Sequence, residues 1–136
     1  MSMHMKIYPE EKLRFRVEKD DLSFVIDQIE EEGGTNQGPT PVEILVGSLG
    51  GCVATMIGYY CTDKGIDFSG MVVEVDWVKE KNPYRVSEIK VKVNFPGETD
   101  RKLQKILERV AHTCIIHQTL TTPPKIDINF PWTKQE

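Results

Sequence analysis

Residues 38–65 read GPTPVEILVGSLGGCVATMIGYYCTDKG, and how this stretch must be covered decides the fold. Thr40 is a natural N-cap, Pro41 fits the first helical position where no amide donor is needed, and Glu43 stands where a capping box wants its carboxylate. Lys64-Gly65 closes the helix with a cation followed by a residue that tolerates left-handed backbone. Between these ends, Ile44 to Thr62 carries no charge and is long enough to cross a bilayer. Gly47, Gly50, Gly51 and Gly58, with Ser48, Thr55, Tyr59 and Tyr60, lower its hydrophobicity, so the expectation is a buried core helix and no membrane. A helix apolar on nearly all sides must be covered on all sides, and in a 136-residue chain a second subunit is expected to supply part of the cover.

Before this helix, Leu13 to Val17 alternates apolar residues with Arg14 and Arg16, and Lys19-Asp20-Asp21 turns the chain into Leu22 to Ile26, predicting a hairpin. Glu30 to Gly38 has loop chemistry. After it, Met71 to Val78 and Val86 to Phe95 predict an antiparallel pair joined through Lys81-Asn82-Pro83. Ile89, Val91, Val93 and Phe95 alternate with Lys90, Lys92 and Asn94, which gives that sheet one buried face. Pro96-Gly97 breaks the strand. Leu103, Ile106, Leu107, Val110, Ala111 and Cys114 then share one helical face, and Ile126 to Phe130 reads as a last strand. Strands, helix, strands, helix, strand is an α+β order, expected as a single domain over residues 1–136 with residues 1–12 as an N-terminal extension.

A net charge of -4 without a basic stripe argues against a nucleic-acid partner. Met-Ser-Met-His-Met at the start is too short in apolar length for a signal peptide, and three cysteines without one fit the reducing cytoplasm, where thiols react, ligate or pack. Cys52 follows Gly50-Gly51, which remove bulk beside the sulfur, and its helix face holds Leu45, Ser48, Leu49, Met56 and Tyr59. It reads either as a reactive thiol facing an apolar ligand or as a core cysteine. Cys114 lies on the apolar stripe of its own helix, and two helices packed 8 to 10 Å apart could bring the sulfurs near bonding distance. Cys61, about 180 degrees around the helix from Cys52, reads as a packing residue. His112 and His117 flank Cys114, but the spacings of His112, Cys114, His117 and Cys52 match no zinc template, so no metal is expected.

Gly38-Pro39-Thr40-Pro41-Val42-Glu43-Ile44-Leu45 followed by Gly50-Gly51-Cys52, with His112-Thr113-Cys114 near the end of a later helix, resembles the OsmC/Ohr family over roughly Leu13 to Phe130. The resemblance implies an intertwined homodimer, with antiparallel sheets wrapping two central helices and active sites at the subunit interface. It also implies a thiol peroxidase without a cofactor. Cys52 attacks an organic hydroperoxide and becomes a sulfenic acid, Cys114 captures it as a disulfide, and a dithiol reductant such as a lipoylated protein resets the pair. A non-catalytic protein for small apolar ligands and a redox sensor are the alternatives. Peroxidase members carry an Arg-carboxylate pair with the Glu ten residues before the first cysteine, where this chain has Val42. Glu43 is one residue off and Arg14 is the best-placed arginine, so these two are the supporting candidates. Where the family commonly has Pro after the second cysteine, Ile115 stands here.

Overall fold

Helix α1 (Pro41–Lys64) begins where its capping chemistry puts it. In the computed structural model, which describes residues 3–133, the Thr40 amide donates to Glu43 Oε1 at 2.8 Å and the Glu43 amide to Thr40 Oγ1 at 3.2 Å. Both bonds satisfy amides for which the helix has no internal acceptor. The far end is a Schellman close: Gly65 takes φ +67°, its amide reaches Thr62 O, and the Ile66 amide reaches Cys61 O at 2.8 Å. By length and composition α1 could cross a membrane, a test that the core helix of a soluble protein also passes.

Before α1, strands β1 (Lys6–Pro9), β2 (Phe15–Lys19) and β3 (Leu22–Ile26) form an antiparallel sheet in that order. The expected hairpin is β2–β3, with Asp20 at φ +52° in its turn. Strand β1 lies inside the stretch set aside as an extension: Ile7 pairs with Val17, which pairs with Phe24, so three apolar residues line one face. Four residues carry too little periodicity to announce a strand. After α1, strands β4 (Val72–Glu80) and β5 (Arg85–Asn94) pair antiparallel as expected. Ile89, Val91 and Val93 are half-buried while Lys90, Lys92 and Asn94 are exposed, and Glu74 and Asp76 face Lys92 and Lys90 across the ladder.

Two corrections follow the second sheet. Helix α2 (Arg101–Ala111) ends before Cys114, and a separate helix, α3 (Ile115–Thr121), starts after it. Cys114 is buried as expected, but as the cap of α3 and not as a residue on the α2 stripe. Among the described residues Ile126 to Phe130 joins no sheet, and its alternation leaves Ile126 at 74%, Ile128 at 80% and Phe130 at 52% exposed. A strand needs a neighbouring edge, which sequence alternation does not supply. The α+β class holds, with two antiparallel sheets and three α-helices among the described residues.

The chain packs as two compact units. One takes in the chain up to Gly51 with Val72–Asn94, and buries Val17, Val46 and Leu49. Within it, a Cβ on Gly50 would stand 2.5 Å from Val75 Cγ2, so that glycine is a seat for β4. The other takes in Cys52–Met71 with the chain from Phe95, and buries Val53, Ile57, Cys61, Leu107 and Cys114.

The first unit also buries a carboxylate. Asp27 is 1% exposed; its Oδ1 accepts from the amides of Gln28 at 2.8 Å and Thr35 at 3.1 Å, and its Oδ2 from Thr35 Oγ1 at 2.6 Å and the Gln37 amide at 3.0 Å. Its own amide donates to Pro39 O at 3.0 Å, so one residue shapes the loop that delivers Thr40 to its cap. Burial pushes the Asp27 carboxyl up, but the donors of Thr35, Gln37 and Gln28 outweigh it and hold it well below the usual carboxylate range. A depressed folded-state value stabilises above the unfolded-state value, near 4, and that stabilisation fades as pH falls below it. Asp27→Asn should therefore lower the urea midpoint at pH 7, and its deficit against the parent should shrink as the titration descends from about pH 5 to pH 2.

Candidate active site

Cys52 and Cys114 meet within the second unit. Cys52 projects from the middle of α1 and is half-buried, while Cys114 is fully buried. Next to Cys52, a Cβ on Gly51 would meet nothing within 4 Å, so the helix surface is open there. Gly50 is given over to packing against Val75 of β4, while Gly51 faces open space. Of the apolar face assigned to Cys52, Leu49 is buried, Met56 half-buried, and Leu45 and Tyr59 exposed.

The break between α2 and α3 positions the second thiol. His112 caps α2, Thr113 Oγ1 donates to Val110 O at 2.7 Å, and Gln118 Nε2 donates to His112 O at 3.1 Å, which ties the corner across both helices. Cys114 leaves helical backbone at φ -58°, ψ 124°, and its Sγ accepts from the His117 amide at 3.4 Å, doing for α3 what a serine does at an ordinary N-cap.

The two thiols are made unequal by what surrounds them. Burial pushes Cys52 up, but the Cys114 thiol and the Ile116 and Ile115 amides donate toward its sulfur, and the net direction is below the ordinary cysteine value. Burial pushes Cys114 up as well, and the bond to Cys52 pushes it further, against the opposing His117 and Ile116 amides. Of the two, Cys52 is therefore the thiol that gives up its proton more readily, toward the thiolate form that attacks. Ile115 is the first residue of α3, where a proline would fit the backbone but could not donate. Its amide is thus a donor toward Cys52 that the more common residue there would remove.

The other candidates have different partners. Glu43 is held by Thr40, whose hydrogen bonds keep its carboxyl below the usual range. Arg14 meets Glu10 at 3.0 Å, Glu11 at 3.6 Å and Thr35 Oγ1 at 2.9 Å. Arg16 donates to Glu10 at 2.8 Å. Cys61 is fully buried, and burial raises its thiol, in keeping with packing. His112 is exposed, with Nδ1 2.7 Å from Glu108 O, and its ring meets His117 edge-on at 5.8 Å. Among the described residues no group of three or more His, Cys, Asp or Glu is arranged to hold a metal ion. What sequence reasoning missed were main-chain groups, the amides of Ile115 and Ile116, which no side-chain pattern reveals, and Asp27, whose one signal was an Asp opening a Gly-rich loop.

The model of the OsmC-like protein family matches residues 34–129. None of the curated proteins matches the chain in sequence. Among solved structures, a Psychrobacter arcticus protein named for osmotic stress induction and a detoxification response is 30% identical, over 88% of this chain and 89% of that one, with a TM-score of 0.78. An OsmC-like protein of Mycoplasma pneumoniae is 16% identical over 90% and 89%, with a TM-score of 0.71. The organic hydroperoxide resistance protein OsmC of Legionella pneumophila is 10% identical over 88% and 89%, with a TM-score of 0.65. The last two likenesses are of fold.

Because Cys52 is the more acidic and the more accessible thiol, iodoacetamide should modify it ahead of Cys114 and Cys61 at pH 7, with a rate-pH midpoint below that of a free cysteine. Ile115→Pro, which keeps the backbone and deletes the amide, should move that midpoint upward; an unmoved midpoint would remove the Ile115 amide from the account.

Proposed function

The chain belongs to the OsmC-like protein family, and from that premise we propose that it is a thiol peroxidase for organic hydroperoxides, with Cys52 as the peroxide-reacting cysteine and Cys114 as the resolving one. The observation that carries the reading is the unequal pair: a lowered thiol and a raised thiol sharing a hydrogen bond, the lowered one half-exposed and the raised one buried. A peroxidatic sulfur must be reachable and ionised, and a resolving sulfur must be near and protonated until needed. In the first step the Cys52 thiolate attacks the terminal oxygen of the hydroperoxide, the O–O bond breaks, and the alcohol leaves after protonation. Cys114 then displaces water from the Cys52 sulfenic acid and forms the disulfide. A dithiol reductant, itself oxidised to a disulfide, returns both cysteines to thiols. The two electrons that reduce the hydroperoxide come from the Cys52 sulfur and are restored by the dithiol, and the reducing cytoplasm is the compartment that suits the cycle.

A homodimer belongs to this reading. Ile126, Ile128, Phe130 and Trp132 stand 52 to 80% exposed near the end of the described chain, and Leu45 and Tyr59 are exposed on α1. Apolar groups in that number call for cover, and a partner subunit, not lipid, is the cover proposed. Light scattering should then give twice the chain mass, and Ile128→Lys should shift the population toward monomer; a monomeric parent would refute the dimer.

Stopped-flow oxidation of the reduced protein by cumene hydroperoxide and by hydrogen peroxide, with mass spectrometry of the Cys52 and Cys114 peptides, tests the activity. The expected result is faster reaction with the organic peroxide and a Cys52–Cys114 disulfide. Cys52→Ser should abolish consumption, and Cys114→Ser should allow one oxidation and then accumulate overoxidised Cys52. Turnover retained in Cys52→Ser would sink the assignment. Slow reaction of the parent with both peroxides would favour a non-catalytic apolar-ligand protein or a redox sensor, consistent with Val42 in place of the family's carboxylate and Glu43 spent on its cap.

A further inference from the structure

Disulfide formation asks for something the pair does not provide. Cys114 must give up its proton to attack Cys52, yet its buried sulfur favours the protonated form. His117 stands beside it. It is the third residue of α3, and its amide is bonded to Cys114 Sγ at 3.4 Å, so the imidazole is rooted next to the reacting sulfur. In the related capping box, the side chain at this position folds back over the cap residue. The His117 ring is held on one side by the edge-on contact with His112, at 5.8 Å and 86°. His117 Nδ1 is sealed from solvent and has no hydrogen-bond partner. Buried polar atoms are normally paired, so a sealed, unpaired imidazole nitrogen on the residue whose amide holds a thiol that must deprotonate calls for a role.

We propose that His117 Nδ1 accepts the Cys114 thiol proton during disulfide formation. As the Cys114 sulfur attacks the Cys52 sulfur, the S–H bond of Cys114 and the S–O bond of the sulfenic acid break and the S–S bond forms. The hydroxide leaving Cys52 recombines with the proton taken up by His117, giving water and a neutral imidazole. No oxidant beyond the first hydroperoxide is consumed. The inference rests on the thiol-peroxidase reading above and concerns its second step alone.

Rapid quenching after one equivalent of cumene hydroperoxide, with mass spectrometry of Cys52 sulfenic acid and of the disulfide, separates the two steps. His117→Asn keeps a polar atom where Nδ1 stood but cannot take up a proton. It should form sulfenic acid at the parent rate and close the disulfide slower by on the order of 100-fold, the scale of general-base catalysis. His117→Ala should show the same delay, relieved by added imidazole. Closure at the parent rate in His117→Asn would reduce the side chain to packing and overturn the proposal while leaving the peroxidase reading intact. Failure of imidazole to restore His117→Ala would also overturn it. If Cys52 of the unaltered chain forms no sulfenic acid, the peroxidase reading falls and the proposal with it.

Discussion

The contact between two thiols of opposite shift organises the second unit of this molecule. A partly buried thiol loses its proton less readily unless donors face its sulfur, and here the donors come from the turn that ends α2 and begins α3. Cys114 supplies one from its side chain, and Ile115 and Ile116 supply main-chain amides that a helix start leaves free. At the same turn, burial and the bond to Cys52 push the Cys114 thiol up. Two chemically identical side chains thus differ in acidity, separated by environment alone.

That arrangement explains why the helix break matters more than either helix. Had α2 continued through residue 114, the amides of residues 115 and 116 would have bonded to carbonyls four residues earlier and not faced a sulfur. The bonds from Thr113 and Gln118 to Val110 O and His112 O hold the corner open at modest cost, since each satisfies a carbonyl near the end of α2. Ile115, where the family commonly has proline, keeps the helix start and adds a donor. The departure strengthens the site locally.

The other unit solves a similar problem with a carboxylate. Asp27, nearly sealed from water, is held ionised by three main-chain amides and the Thr35 hydroxyl. Its return is structural: the loop it shapes ends at Pro39, one residue before the N-cap of α1. Each unit holds an acidic group, one buried and one half-buried, and pairs it mainly with backbone donors, which are fixed by the chain and lose little entropy on bonding.

The sequence by itself determined α1, its two caps, both strand pairs and the α+β class, because these rest on local chemistry: Thr40 with Glu43, Gly65 at positive φ, and period-two alternation in β5. It also singled out Cys52 and Cys114, since cysteines on apolar stripes are few enough to stand out. It could not show β1, which is too short to have a period, nor the end of α2, where no glycine or proline marks the stop. Nor could it show which thiol is the more acidic. That depends on how near two sulfurs come and which amides face them, and such distances exist only once residues far apart in the chain have packed; the tertiary structure alone decided them.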